Sequence, residues 1–162
     1  MADHSFDIVS EIDNQELVNA LDQTRKELAV RYDFKDTPVE IKHEASQLII
    51  TTADEYKLKA VRDILDGKLL RRGLSLKILG ESKNEPATLG QIRSTIPLVA
   101  GVSSEKAKVI NKLVRDSYPK VKTTIQGDTI RVVSPSLDTL QAVMDLLKNA
   151  ALDLPLQFTN YR

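Results

Sequence analysis

The segments SQLIITTADEYKLKAVRDIL (residues 46–65) and DTIRVVSPSLDTLQAVMDLL (residues 128–147) share one arrangement of apolar and polar residues. In each, an alternating stretch predicts a half-buried strand, and the stretch after it has the apolar spacing of an amphipathic helix. Ala60 and Ala142 lie 82 positions apart, and at this offset the apolar residues of both strands and both helices coincide. A shift of one residue would move every strand side chain to the opposite face, so the match indicates a duplicated structural unit.

Each half of the chain shows the same predicted order of elements, strand–helix–strand–strand–helix–strand. This order is typical of the ferredoxin-like, RNA-recognition-like (βαββαβ) unit, in which two helices cover one face of a four-stranded antiparallel sheet. We therefore predict an α+β fold built from a tandem pair of such units. The predicted strands are residues 6–10, 38–44, 47–52, 74–79, 89–99, 120–126, 128–134 and 156–162, and the predicted helices are residues 13–34, 54–72, 103–117 and 136–152.

Cap and turn residues bound these elements. Asp13 with Glu16 three residues later is a capping-box signal for a helix start, and Gly73 stands where a left-handed helix end is expected. Gly127, in the sequence QGD, predicts a tight hairpin turn. The polar segment 80–88 (GESKNEPAT) is the predicted linker between the halves.

Strand alternation assigns side chains to the sheet face that the helices leave open. A polar open face is typical of any half-solvated sheet, but an open antiparallel sheet is also a platform for nucleotides and RNA. In the second half the residues assigned to this face are Lys122, Thr124, Gln126, Thr129, Arg131, Gln157, Thr159 and Tyr161.

Aromatic residues on the open face are scarce. RNA-recognition domains stack bases on aromatic side chains of their central strands, and the strands at 47–52 and 128–134 contain none. Alternation places Tyr161 alone among the seven Phe and Tyr residues on an open face. The three phenylalanines are expected in the cores: Phe6, Phe34 and Phe158.

Basic residues cluster in the sequence KLLRRG, which contains Lys68, Arg71 and Arg72. Cations in the last turn of a helix complement the helix macrodipole, which is a purely structural explanation. They also form a candidate phosphate clamp, because the planar guanidinium of Arg matches phosphate oxygens.

Composition excludes several classes of protein and site. Lys plus Arg and Asp plus Glu both number 23, so the formal net charge is zero, which argues against a protein that coats polyanions non-specifically. The absence of Cys excludes disulfides and thiolate metal sites. His4 and His43 are the only histidines, and no catalytic motif proposes a reaction, a cofactor or a metal. We predict a non-enzymatic protein, and we expect it in the cytoplasm because the sequence shows neither an export signal nor a membrane-spanning apolar run.

Several segments, in order and covering nearly the whole chain, together resemble the YajQ family of bacterial nucleotide-binding proteins. Each segment is short, and their order and separations make the resemblance specific. They are FDIVSE (6–11), RYDFK (31–35), KLLRRG (68–73), QGDTIRV (126–132), LQAVM (140–144) and QFTNYR (157–162).

The resemblance implies two ferredoxin-like domains that exchange their first strands. Strand 6–10 would join the sheet of the second half, and strand 89–99 would join that of the first. The first domain would then comprise residues 11–99, including strand 89–99 from the second half, and the second domain residues 1–10 with 100–162. The resemblance also implies nucleotide binding, cyclic di-GMP or GTP being candidate ligands, with a transcription-related protein or a nucleic acid as partner.

Two hypotheses for function remain. The first is a cytoplasmic nucleotide sensor, for which the resemblance implies a role as a cyclic di-GMP effector. In this hypothesis cations contact phosphates and one aromatic ring stacks on a base. The second is an RNA- or protein-interaction module without a small ligand, although neutral charge and the missing strand aromatics disfavour its RNA branch. The candidate nucleotide-binding residues are Lys68, Arg71, Arg72, Lys122, Arg131 and Tyr161.

Overall fold

A computed structural model describes residues 3–152 and 154–162, and within them it contains four α-helices and two four-stranded antiparallel sheets. The chain divides into two compact units. We call residues 12–99 the central unit, and residues 3–11 with 100–162 the terminal unit, because the latter combines both ends of the chain.

The elements follow the predicted order closely. The terminal unit begins with β1 (His4–Val9), and the central unit then supplies α1 (Asn14–Val30), β2 (Val39–Glu44), β3 (Gln47–Thr52), α2 (Glu55–Arg71), β4 (Lys83–Pro86) and β5 (Ile92–Pro97). The terminal unit resumes with α3 (Ser104–Ser117), β6 (Lys122–Gln126), β7 (Thr129–Ser134), α4 (Leu137–Asn149) and β8 (Gln157–Thr159).

Strand pairing joins distant parts of the chain. The sheet of the central unit has the order β2-β3-β5-β4, and that of the terminal unit has the order β6-β7-β1-β8. β1 therefore lies between β7 and β8, with Asp7 opposite Arg131 on one side and opposite Thr159 on the other. β5 lies between β3 and β4. β1 thus completes a sheet whose other strands all lie in the second half of the chain, whereas β5 joins β3, which is distant in sequence, to β4, which directly precedes it.

Side-chain caps fix the starts of the helices. The Asp13 carboxylate accepts a hydrogen bond from the Glu16 amide at 3.2 Å, and the Ser103 hydroxyl accepts one from the Lys106 amide at 3.3 Å. These bonds satisfy amides that have no partner inside the helix. After α2, Gly73 takes a φ of 78°, which confirms the predicted left-handed helix end.

The repeated apolar positions form the two cores, as the sequence predicted. At the 82-residue offset, Leu48 and Ile130 are both fully buried, and so are Val61 and Val143. In the central unit α2 packs against β3 and β5, while in the terminal unit α4 packs against β1 and β7. One sheet face in each unit is therefore covered by helices.

Two sequence predictions between α2 and β5 are wrong. Residues 74–79 do not form a strand: the Ser75 hydroxyl accepts a hydrogen bond from the Lys77 amide at 3.1 Å and starts a short 3₁₀ turn, Leu76–Ile78. The edge strand β4 instead lies inside the segment predicted as a linker. All four β4 residues are exposed, so an edge strand of this kind lacks the apolar alternation that marks a half-buried one.

Within the described residues, no helix is both long enough and apolar enough to cross a membrane.

The central place of β1 leads to a prediction about a fragment. A chain of residues 84–162 keeps α3, α4 and three strands of the terminal sheet but lacks Phe6 and Ile8, both fully buried. Burial of each such side chain contributes about 1.5–3 kcal/mol. We expect the full chain to unfold in urea in a cooperative transition that circular dichroism detects, and we expect the fragment to show no such transition. A peptide of residues 1–12 should restore a transition, and a fragment that folds alone as a monomer would contradict the assignment.

Candidate functional site

The face of the terminal sheet opposite α4 carries most of the predicted polar residues, and we call it the outer face. Exposure falls across it from the edge strand inward. Lys122 and Thr124 of β6 are exposed, Arg131 of β7 is half-buried, and Asp7 of β1 is only 6% exposed. The face is therefore accessible at the β6 edge and buried at its centre.

Asp7 and Arg131 form an ion pair at the centre of the outer face. The two residues are directly opposite each other on β1 and β7. Arg131 donates from Nε to Asp7 Oδ1 at 2.9 Å and from Nη2 to Asp7 Oδ2 at 3.4 Å. Parallel donors of this kind fix the plane of a guanidinium as well as its position.

Asn160 adds a third hydrogen bond through a break in the strand. Its Nδ2 donates to Asp7 Oδ2 at 2.9 Å, and its φ is 56°, in the left-handed region. Thr159 pairs with Asp7, yet the backbone partner of Ser5 is Arg162, with N–O distances of 3.2 and 3.0 Å. The chain therefore advances three residues from Thr159 to Arg162 while β1 advances two, from Asp7 to Ser5. This extra residue is a β-bulge at Asn160.

The bulge makes the predicted placement of Tyr161 wrong. Simple alternation put Tyr161 on the outer face, but the extra residue reverses the alternation beyond it. The Tyr161 ring lies 6.4 Å from that of the buried Phe6, and its hydroxyl donates to Met144 Sδ on α4 at 3.8 Å. Tyr161 therefore lies on the helix-covered side, where it remains 63% exposed, and does not line the outer face.

The contacts of Asp7 keep it ionised. Hydrogen bonding by Arg131 is the largest influence and holds the pKa of Asp7 below its ordinary value of 3.8, burial opposes it, and Asn160 reinforces it. The positive charge of Arg162 lowers the pKa of Asp7 further. The sequence analysis did not select Asp7 or Arg162. Asp7 could have been selected from the sequence because it is a charged residue inside an otherwise apolar predicted strand, FDIVS.

The ion pair has no counterpart in the central sheet. At the 82-residue offset Arg131 corresponds to Ile49, whose partner on the neighbouring inner strand is Thr95. The duplicated architecture therefore does not require charged residues at these positions. Their presence in one unit alone points to a role specific to the terminal sheet.

The other three predicted cations lie together in the central unit, beside the groove between α1 and α2. Lys68 Nζ lies 3.1 Å from Glu27 Oε1, and Arg72 Nη1 lies 3.8 Å from Glu16 Oε2. Arg71 is exposed at the end of α2. Two of the three predicted phosphate ligands thus pair with carboxylates of α1. The structure groups Lys68, Arg71 and Arg72 on one surface and places Lys122 and Arg131 on another, in the other unit.

A cluster of metal ligands is not found in the part of the chain that the structure describes. No three His, Asp or Glu side chains there lie close enough to hold a metal ion.

We predict that Asp7→Asn lowers the free energy of unfolding at pH 7 by about 1–3 kcal/mol, because it removes a charge-assisted bond from a buried group. The folded-state pKa of Asp7 lies below its ordinary value of 3.8, so the contribution of the carboxylate is complete above that value. It is lost as the pH falls through the folded-state pKa. Urea unfolding from pH 7 to pH 2 should show the difference between the two proteins vanishing at the acid end.

Asp66→Asn provides a control of opposite sign. Burial raises the pKa of Asp66, so its charged form is less favourable in the folded protein than in the unfolded chain. We expect the free energy of unfolding at pH 7 to be unchanged or higher in this variant. A similar loss in both variants would contradict a specific role for the Asp7 ion pair.

Comparison with known proteins places the whole chain in one family. Residues 4–162 match the family model described as nucleotide-binding protein YajQ-like. A protein of Heliobacterium modesticaldum named nucleotide-binding protein is 49% identical over 160 residues, covering 99% of this chain and 98% of the relative. Similar proteins with that name occur in Koribacter versatilis, 49% identical over 100% of this chain and 99% of the relative, and in a Synechococcus strain, 48% identical over 98% of each chain.

These matches extend over both units and include every element described above. The names of the relatives describe binding and not a reaction. The chain belongs to the YajQ-like family of nucleotide-binding proteins.

Proposed function

We propose that this protein is a cytoplasmic nucleotide-binding effector, that cyclic di-GMP is its ligand, and that it passes the signal to a protein or nucleic-acid partner. Membership of a family whose members are named for nucleotide binding is the observation that carries the proposal. The charges on the outer face of the terminal sheet support a site for an anionic ligand there.

We further propose that the two units are tandem ferredoxin-like domains with exchanged first strands, comprising residues 11–99 and residues 1–10 with 100–162. The pairing of β1 with β7 and β8, and of β5 with β3 and β4, supports this interpretation. If β1 is taken as the first strand of the terminal sheet, and β5 as the first strand of the central sheet, both sheets have the strand order of a ferredoxin-like unit.

In the proposed site, Lys122 and Arg131 contact phosphate oxygens. Asp7 occupies Nε and Nη2 of Arg131, and Nη1 has no partner among the described residues. A guanidinium held in this way meets a phosphate without first losing rotamer freedom. Lys122 is exposed on β6, and its side chain forms no ion pair with any residue in the described part of the chain, so it adds a positive charge on the same face.

Lys122 and Arg162 stand at the two ends of a row of paired residues that crosses the terminal sheet. Lys122 pairs with Val133, Val133 with Ser5, and Ser5 with the backbone of Arg162. With strands about 4.8 Å apart, the row places the backbones of Lys122 and Arg162 about 14 Å from each other. This arrangement suits a ligand with two separated phosphates, such as a cyclic dinucleotide.

The RNA-binding alternative receives less support. Phe6 contacts both Phe158 and Tyr161 on the helix-covered side of the terminal unit, so these rings do not offer the outer face a surface for stacking bases. Direct RNA binding would then depend on backbone charge and would weaken steeply with salt. Filter binding of RNA across a series of salt concentrations tests this case. If no RNA binds at any salt concentration, the hypothesis of a protein-interaction module remains.

Lys122→Ala tests the proposed site. We expect isothermal titration with cyclic di-GMP to show about tenfold weaker binding, equivalent to about 1.4 kcal/mol. The melting temperature should not change, because Lys122 is exposed at the sheet edge. Lys108→Ala removes the same charge from α3, an exposed helix position of the same unit, and should leave affinity within about twofold.

Two results would count against the proposal. If titration with cyclic di-GMP at high micromolar concentration gives no heat, cyclic di-GMP is not the ligand. The same titration with GTP would then show whether another guanine nucleotide binds. Equal weakening by both alanine variants would remove the outer face as the site.

A further inference from the structure

We propose that the groove between α1 and α2 of the central unit binds a polyphosphate group, such as the phosphate chain of a nucleoside triphosphate or of inorganic tripolyphosphate. The site is formed by the helix layer of one unit. It does not rest on the nucleotide site proposed on the terminal sheet, because the two surfaces use different cations.

The groove is large enough for such a ligand. Its wider part has a volume of about 710 Å³, and a narrower part of about 350 Å³ adjoins it along α2. Small-molecule sites commonly have volumes of about 300–1,000 Å³. Residues of both helices line the two parts, and Glu27, Lys68 and Arg71 are common to both.

The charges in the wider part favour an anion, because four cations face two carboxylates. Only two of the cations are locally neutralised, Lys68 by Glu27 and Arg72 by Glu16. The side chains of the other two, Lys26 and Arg71, are exposed and form no hydrogen bond or ion pair with any residue that the structure describes. The charged residues are Lys26, Lys68, Arg71, Arg72, Glu16 and Glu27.

Gly67 supplies an independent indication. It lies inside α2, where glycine lowers helix stability by about 0.5–1 kcal/mol relative to alanine. A Cβ atom built on Gly67 would have no neighbour within 4 Å, so packing within the protein does not demand glycine there. Gly67 lines the narrower part of the groove. A ligand that approaches the helix backbone explains a glycine that the fold itself does not need.

The helix macrodipole alone does not explain these residues. Cations in the last turn of α2 complement its negative end, which accounts for Lys68 and Arg71. It accounts neither for Lys26, which belongs to α1, nor for Gly67. The last turn of α3 in the terminal unit also carries an exposed arginine, Arg115, which therefore serves as a control for Arg71 of the same charge and the same place within a helix.

The carboxylate of Glu27 competes with the ligand for Lys68. It lies 3.1 Å from Lys68 Nζ and 3.7 Å from an Arg31 nitrogen, and hydrogen bonding by Lys68 lowers the pKa of Glu27. Glu27 is therefore ionised at neutral pH. A phosphate that contacts Lys68 must displace this carboxylate, so removal of its charge should strengthen binding.

The experiment is an NMR titration of the full chain with inorganic tripolyphosphate, which follows the backbone amides. Saturable shifts are expected in residues 23–31 and 60–73. Arg71→Ala should weaken binding about tenfold, whereas Arg115→Ala should change it by less than about twofold. Glu27→Gln should tighten binding about threefold, which a purely structural ion pair would not do.

Gly67→Ala separates stability from binding. We expect a melting temperature higher by about 2–4 °C, from improved helix propensity, together with about fivefold weaker tripolyphosphate binding. GTP in place of tripolyphosphate identifies the source of the ligand. Equal affinity assigns recognition to the phosphate chain, and tighter binding of GTP shows that the nucleoside adds contacts in the groove.

Three results would overturn the proposal. The first is the absence of saturable shifts in the groove residues at millimolar tripolyphosphate. The second is equal weakening by Arg71→Ala and Arg115→Ala, which would indicate an effect of net charge alone. The third is unchanged or weaker binding in Glu27→Gln while the protein remains folded. None of these results bears on Lys122 or on cyclic di-GMP binding.

Discussion

The pairing of β1 with β7 and β8 is the constraint on which the terminal unit depends. It fills the middle of the sheet with a strand from the other end of the chain, and it buries Phe6 and Ile8 beneath α4. The same register places Asp7 opposite Arg131. Core formation and the pairing of Asp7 with Arg131 are therefore consequences of one set of backbone hydrogen bonds.

Much of the fold could be predicted because duplication repeats the apolar pattern. Residues 82 positions apart, such as Leu48 and Ile130, occupy equivalent places in the two cores. The prediction failed at Leu76–Ile78 and at β4, where a side-chain hydrogen bond and edge exposure replace hydrophobic alternation. Sequence patterns report burial, so they give little information where a strand is exposed on both faces.

The candidate sites were predictable in composition but not in geometry. The cluster around Arg71 was evident because its members are neighbours in sequence. The ion pair of Asp7 with Arg131 was not, because its partners are separated by 124 positions and meet only through the register of β1. Both surfaces contain carboxylates that hold cations in place. On the terminal sheet Asp7 orients Arg131, and in the groove Glu27 pairs with Lys68, where we propose that it competes with a phosphate.

The left-handed residue Asn160 has an evolutionary consequence. Its backbone conformation decides which of the next two side chains, Tyr161 or Arg162, reaches the solvent-facing side of the sheet. A β-branched residue there would disfavour that conformation and promote regular pairing, which would present a ring in place of a guanidinium. Drift at a single position can thus exchange a guanidinium for an aromatic ring on this face of the sheet, which would change the kind of ligand that the proposed site accepts.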